Sequence, residues 1–239
     1  MNPHETLRLA ISHHNAGRTR EAERLYRDIS RRYPGHPIAA TLLARLAMRA
    51  GDPAEARSLL EMAVVNAPDY MQAHIALGDY HEQVGESGHA VNAYRRGLAL
   101  TPEQGGTLVA LGNLAQQANK DAMASGLYRR ALTVQPESVA AANNLASASL
   151  KRGDPVAALD ATDRVLGKDP SHVRATAYRT IALRALGRVA EADELVGFGD
   201  LVRSVSLGVS EAYSDLAAFN VALTDALKTH PNLSSDWDP

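Results

Sequence analysis

The sequence contains no cysteine, which removes disulfides, thiolate zinc sites and cysteine nucleophiles from consideration. Large aromatic residues are scarce, with one Trp and two Phe. Alanine is abundant instead, a balance that suits closely packed helices better than a sheet sandwich. No run approaches the roughly 20 apolar residues of a membrane span, and the opening MNPHETLRLAISHHNAG lacks the basic stretch and apolar core of a signal peptide. These absences lead us to expect a soluble, all-α, cytoplasmic chain without a membrane partner. Its 239 residues, 45% hydrophobic and 22% charged, are enough to bury a sizeable core.

Catalytic signatures are also missing. Neither a G-x-S-x-G elbow nor a P-loop spacing occurs, and HEQVG at His81 is not HExxH. Of the nine histidines, His13 and His14 are adjacent and face different ways, while His74 and His81 lie two turns apart at interior positions. They read as core or surface residues, so no metal, cofactor or catalytic residue is expected. Charge is uneven: residues 1–60 hold ten Arg against six Asp+Glu, a balance of +4, and residues 190–239 hold two Lys+Arg against nine Asp+Glu, a balance of −7. The one basic cluster, RRYPGHP, sits at a helix end where cations complement the dipole, so no nucleic-acid partner is expected.

What the sequence does have is a period. Pro34, Pro68, Pro102, Pro136 and Pro170 recur every 34 residues. Twelve residues before each stands Ala22, Ala56, Ala90, Ala124 or Ala158, and Ala192 continues the series. Five residues before each alanine is Gly17, Gly51, Gly85, Asn119, Gly153 or Gly187. The Gly or Asn supplies a left-handed residue for a tight turn. Asp52 and Asp154 then cap a second helix whose first turn holds Pro53 or Pro155. The alanine permits close approach of a partner helix, and the proline stops the second helix. At the N-terminus, Asn2, Pro3 and Glu5 form a capping signal of the same kind.

This unit resembles the tetratricopeptide repeat. The third unit carries the match as His74, Leu77, Gly78, His81, Ala90, Tyr94, Gly97 and Pro102. The fourth carries it as Leu108, Leu111, Gly112, Ala115, Ala124, Tyr128, Ala131 and Pro136. The resemblance implies a right-handed superhelical solenoid over residues 3–198, with about six units near 3–36, 37–70, 71–104, 105–138, 139–172 and 173–199. The sixth is worn, with Arg179 where Leu is expected and Gly199 where Ala is.

The same resemblance implies a concave groove, lined by the first helix of each unit, that holds a protein segment or an extended peptide. By register, its lining starts with His4, Leu7, Ile11 and His14, followed by Ile38, Thr41, Arg45 and Met48. Next come Gln72, Ile75, Asp79 and Glu82, then Val109, Asn113, Gln116 and Gln117. Asn143, Asn144, Ser147 and Lys151 follow, and Arg174, Ala177, Ile181 and Arg184 close it. Amides such as Asn113, Asn143 and Asn144 can pair with a peptide backbone of any sequence. Lys151, Arg174 and Arg184 can take a carboxylate. Chaperone-binding relatives clamp a terminal carboxylate with Lys, Asn, Asn, Lys or Arg, and Arg. The matching places here are Val109, Asn113, Asn144, Arg174 and Tyr178, two of which depart, so that clamp is not expected.

From Leu201 the pattern changes. Leu201, Val205, Leu207 and Val209 alternate as in a strand. Ser214 then starts a helix with Leu216, Phe219, Leu223 and Leu227 at helical spacing. The wording of residues 201–233 resembles the opening segment of the catalytic domain in bacterial tetratricopeptide proteins fused to a 2-oxoglutarate and iron(II)-dependent oxygenase. No histidine here is followed two residues later by an acid, so the His-x-Asp/Glu part of that iron site is absent. Residues 200–239 are therefore expected to be a capping helix or the start of a domain the chain lacks, with an unpaired strand that can pair with a copy of itself. Three functions remain: a peptide-binding scaffold, the substrate-recruiting arm of an oxygenase, and an oligomeric assembly module.

Overall fold

The computed structural model describes residues 2–196 and, beyond them, six helical residues between Ala218 and Asp225. Twelve helices occupy residues 2–196 in six pairs: α1 (Pro3–Asn15) with α2 (Thr19–Arg32), α3 (Pro37–Ala50) with α4 (Pro53–Asn66), and α5 (Met71–Gln83) with α6 (Ser87–Leu100). They continue as α7 (Gly105–Gln117) with α8 (Asp121–Val134), α9 (Val139–Lys151) with α10 (Pro155–Leu166), and α11 (Val173–Ala185) with α12 (Val189–Leu195). Among the described residues there is no strand, and no helix is long and apolar enough to cross a membrane.

The turns follow from the residues that begin and end them. Gly17, Gly51, Gly85, Asn119, Gly153 and Gly187 all adopt positive φ, and Asn119, at 57°, is the one non-glycine among the described residues to do so. Asn2 caps α1 with a reciprocal bond from Glu5, and Asp52 and Asp154 cap α4 and α10 ahead of Pro53 and Pro155. One departure is α10, which stops at Leu166, four residues before Pro170 rather than two. Gly167 follows directly in right-handed helical geometry, and the N–H groups of Lys168 and Asp169 both bond back to the Val165 carbonyl to close the end.

Within each pair, contact depends on small residues. Ala22, Ala56, Ala90, Ala124, Ala158 and Ala192 all have 0% exposure. In the third and fourth units the approach is closer still: a Cβ built on Gly78 would collide with the Tyr94 ring, and one on Gly112 with the Tyr128 ring. Both rings lie buried on the backbone of the preceding helix.

Between pairs, each second helix packs on the first helix of the next pair, and first helices also meet, α3 with α5, α7 with α9 and α9 with α11. No two successive second helices share a comparable seam among the described residues. Neighbours that touch on one side and splay on the other produce curvature, with the first helices on the inner face. The apolar interior is correspondingly a row of clusters. One runs from Leu108 to Ala192, and smaller ones lie along the first four units.

The chain divides into two units, Met1–Val196 and Gly197–Pro239. In the second, Ala218, Asn220, Val221, Ala222, Thr224 and Asp225 are helical, within the stretch expected to form a final helix. The strand-like residues Leu201–Val209, the cap Ser214, and Leu216, Phe219, Leu223 and Leu227 lie outside the described residues.

Two glycine substitutions should act in opposite directions. Gly112→Ala forces a methyl into the Tyr128 ring and should cost about 1–3 kcal/mol. Gly126→Ala meets open space within α8 and should stabilise by about 0.5–1 kcal/mol. Thermal unfolding of both variants checks the signs, at about 2–4 °C per kcal/mol.

Candidate functional site: the inner groove

The buried tyrosines determine what the inner face presents. Tyr128, set over Gly112, directs its hydroxyl to Asn113 Oδ1 at 2.9 Å and Gln116 Oε1 at 3.2 Å. Those acceptors sit one and four residues after the glycine, on the same face of α7. Tyr94, set over Gly78, reaches Asp79 Oδ1 and Glu82 Oε2, each at 2.8 Å. The first unit has Tyr26 over Ala10 but no such acceptors, and its buried hydroxyl has no partner. In the second unit Leu60 replaces the tyrosine, and Arg45 and Met48 replace the two acceptors, so ring and acceptors occur together only in the third and fourth units.

The network extends into the next unit. Asn144 donates from Nδ2 to Asn113 Oδ1 at 2.7 Å, and Gln116 Nε2 donates to Ser147 Oγ at 3.4 Å. Asn113 Oδ1 therefore accepts twice, leaving its own Nδ2 hydrogens without an intramolecular partner among the described residues. The Oδ1 of Asn144 likewise has none, while its amide lies against the Tyr128 hydroxyl. Asn113, Gln116, Asn144 and Ser147 are half-buried, so their amides and hydroxyl are oriented before any ligand arrives.

Toward the N-terminus two adjoining clefts lie along the first helices. One, of about 590 Å³, is lined by His14, Arg45, Met48, Arg49, Asp79 and Gln83 among others. The next, of about 390 Å³, includes Arg45, Gln72, Ile75, Asp79 and Tyr94. Arg45 and Asp79 belong to both. Burial, with Arg49 and Arg45 nearby, holds the His14 imidazole below its ordinary range, so this end of the groove carries its positive charge on the arginines.

Other expected lining residues are placed differently. Asn143 is buried at 4% exposure, with Oδ1 unpartnered, so its amide lies between helices rather than on the surface. Val109 and Tyr178 are half-buried against the main apolar cluster. Arg184 is already paired with Asp193 at 2.7 Å and is not free for a ligand carboxylate. Lys151 and Arg174 are exposed and have no ion-pair partner among the described residues, and Ile181 is exposed as well. The tyrosine network was not foreseen from the sequence, although the shared spacing Gly78–Asp79–Glu82 and Gly112–Asn113–Gln116 signals it. Imidazole and carboxylate groups converge at one further place, His81, Glu86 and His89, which does not line these clefts.

Burial, with the Asp121 charge adding to it, pushes the Tyr128 phenol up to about 12, and burial and the Asp79 carboxylate push Tyr94 further up. A raised phenol leaves stability intact below the unfolded value of about 10. Stability is lost as pH rises from there through the folded value, because the unfolded chain releases its proton first. Tyr128→Phe should flatten the fall of the unfolding midpoint between pH 10 and about 12, as read by circular dichroism. An unchanged slope would contradict a buried, donating Tyr128.

Comparison with known proteins agrees with this architecture. Residues 7–71 and 109–173, more than half of the chain, match the tetratricopeptide repeat family profile. A tetratricopeptide repeat protein from Parabacteroides merdae ATCC 43184 is similar in structure, with TM-score 0.62 at 19% identity, over 85% of this chain and 81% of that one. YrrB, described as a TPR protein with an unusual peptide-binding site, has TM-score 0.63 at 16% identity, over 74% of this chain and 94% of its own. The MamA protein has TM-score 0.57 at 17% identity, over 85% and 98%. No curated protein sequence matches the chain. With its 34-residue helical pairs, left-handed turn residues and buried alanine series, the chain belongs to the tetratricopeptide repeat family.

Proposed function

We propose that the chain is a scaffold that binds an extended protein segment along its inner groove, with α7, α9 and α11 as the main contact. The observation that carries this reading is the bonding of Asn113 to both Tyr128 and Asn144. It fixes a row of amides and leaves the Asn113 Nδ2 hydrogens and the Asn144 Oδ1 without a partner among the described residues. A peptide backbone meets such a row with its own N–H and C=O groups, whatever its side chains. Lys151 and Arg174, without ion pairs, favour a carboxylate at the α9–α11 end. Helices spaced by 8–10 Å place α7 and α11 roughly 20 Å apart, the reach of about six extended residues. YrrB, whose fold is similar, is described as having a peptide-binding site, which supports the choice of ligand class.

Tetratricopeptide proteins generally mediate protein–protein interactions, and the present reading assigns that role to named groups. A second reading, the recruiting arm of a 2-oxoglutarate and iron(II)-dependent oxygenase, rests on the wording of residues 201–233. It would use the same groove to select that enzyme's substrate.

A peptide array should yield extended sequences with an acidic residue near one end. Against the best of them, Asn113→Ala and Arg174→Ala should each weaken binding about threefold to thirtyfold, as measured by calorimetry. Asn92→Ala, on α6 outside the groove, should leave affinity unchanged. Undiminished binding by an Asn113→Ala, Asn144→Ala double variant would sink the proposal.

A further inference from the structure

The third unit carries a feature on its outer side that the groove does not use. His81 lies near the end of α5, Glu86 stands at the cap position of α6, and His89 follows in its first turn. The left-handed turn at Gly85 folds these three together. His81 Nδ1 is 2.7 Å from Glu86 Oε2, and His89 Nδ1 is 3.4 Å from the same oxygen. One ligand atom from each of the three lies within 4.8 Å of the others. In a tetrahedral site with bonds of 2.0–2.1 Å, ligand atoms stand about 3.3 Å apart. Small side-chain rotations reach that spacing.

Several details set this cluster apart from an ordinary surface group. Glu86 occupies the cap position yet makes no capping bond to α6; its carboxylate faces the imidazoles instead. The hydrogen bond from His81 holds that carboxylate below its usual range. His81 is buried and set edge-on against the Tyr80 ring, with centroids 5.2 Å apart, which fixes one ligand. His89 is exposed and keeps one side open to solvent. The same three repeat positions hold His13, Arg18 and Glu21, then Ala47, Asp52 and Glu55, then Ala115, Lys120 and Met123, then Ser149, Asp154 and Ala157. Only the third unit places two imidazoles and a carboxylate there.

The adjoining cleft, of about 270 Å³, is lined from α4, α5 and α6 and also contains His74, Arg57, Glu61 and Arg96. Arg57 is neutralised by Glu61 at 2.8 Å. His74 bonds through Nε2 to the Pro68 carbonyl and is not among the three converging ligands.

We propose that His81, Glu86 and His89 bind one divalent first-row transition ion of zinc-like chemistry. Two neutral imidazoles and a carboxylate suit such an ion, and solvent completes its coordination. The ion takes the place of the proton shared by His81 and Glu86 and joins the end of α5 to the start of α6.

Tag-free protein titrated with Zn²⁺ by calorimetry, and with Co²⁺ followed by visible absorption, tests this. One equivalent should bind with a Kd on the order of micromolar. Glu86→Gln and His89→Ala, both exposed enough to leave the fold intact by circular dichroism, should each weaken binding at least about tenfold. His13→Ala, in the first unit, should not. Absence of a saturable equivalent would overturn the proposal, as would binding that survives either of the two ligand variants.

Discussion

The structure depends on one steric constraint: within each pair a small residue must lie where the partner helix crosses. Ala22 and its successors are fully buried, and Gly78 and Gly112 lie under tyrosine rings with no room for a methyl. Interiors are packed at crystal-like density, so an added methyl at such a crossing has nowhere to go. The same constraint sets the direction of the inner face. A ring seated on Gly112 aims its hydroxyl at the groups one and four residues on, which are Asn113 and Gln116.

Core and groove are therefore parts of one arrangement. The Tyr94 and Tyr128 hydroxyls cross from the buried interior to the inner surface and order the polar groups there. Where Leu60 stands in place of the ring, that ordering is missing, and the corresponding stretch of groove carries Arg45 and Met48 instead. The fourth and fifth units, where Tyr128, Asn113, Asn144, Gln116 and Ser147 are joined, form the best-ordered part of the inner face. Ordered groups lose less entropy when a ligand binds.

Much of the fold was legible in the sequence because its determinants are local and repeat. All six turn residues take positive φ, and the caps at Asn2, Asp52 and Asp154 form as expected. The early end of α10 at Leu166 departs from the 34-residue period and was not legible from it. The candidate site was less legible because register gives the face of a helix but not the partner of a side chain. Asn143 was expected beside Asn144, yet one is buried between helices and the other reaches Asn113 across 31 residues. Arg184 was expected to be available, but Asp193 on the following helix takes it. His81, Glu86 and His89 match no motif because the turn, rather than one helix face, brings them together.

The central claim is that the ordered amides of α7 and α9 are the contact surface for a partner. The most direct measurement is the side-chain amide region of a nitrogen–proton correlation spectrum, recorded as a selected extended peptide is added. The account predicts that the resonances of Asn113, Gln116 and Asn144 shift together and saturate with one peptide per chain, while Asn92 stays in place. Saturable shifts at Asn92 with Asn113, Gln116 and Asn144 unmoved would contradict it.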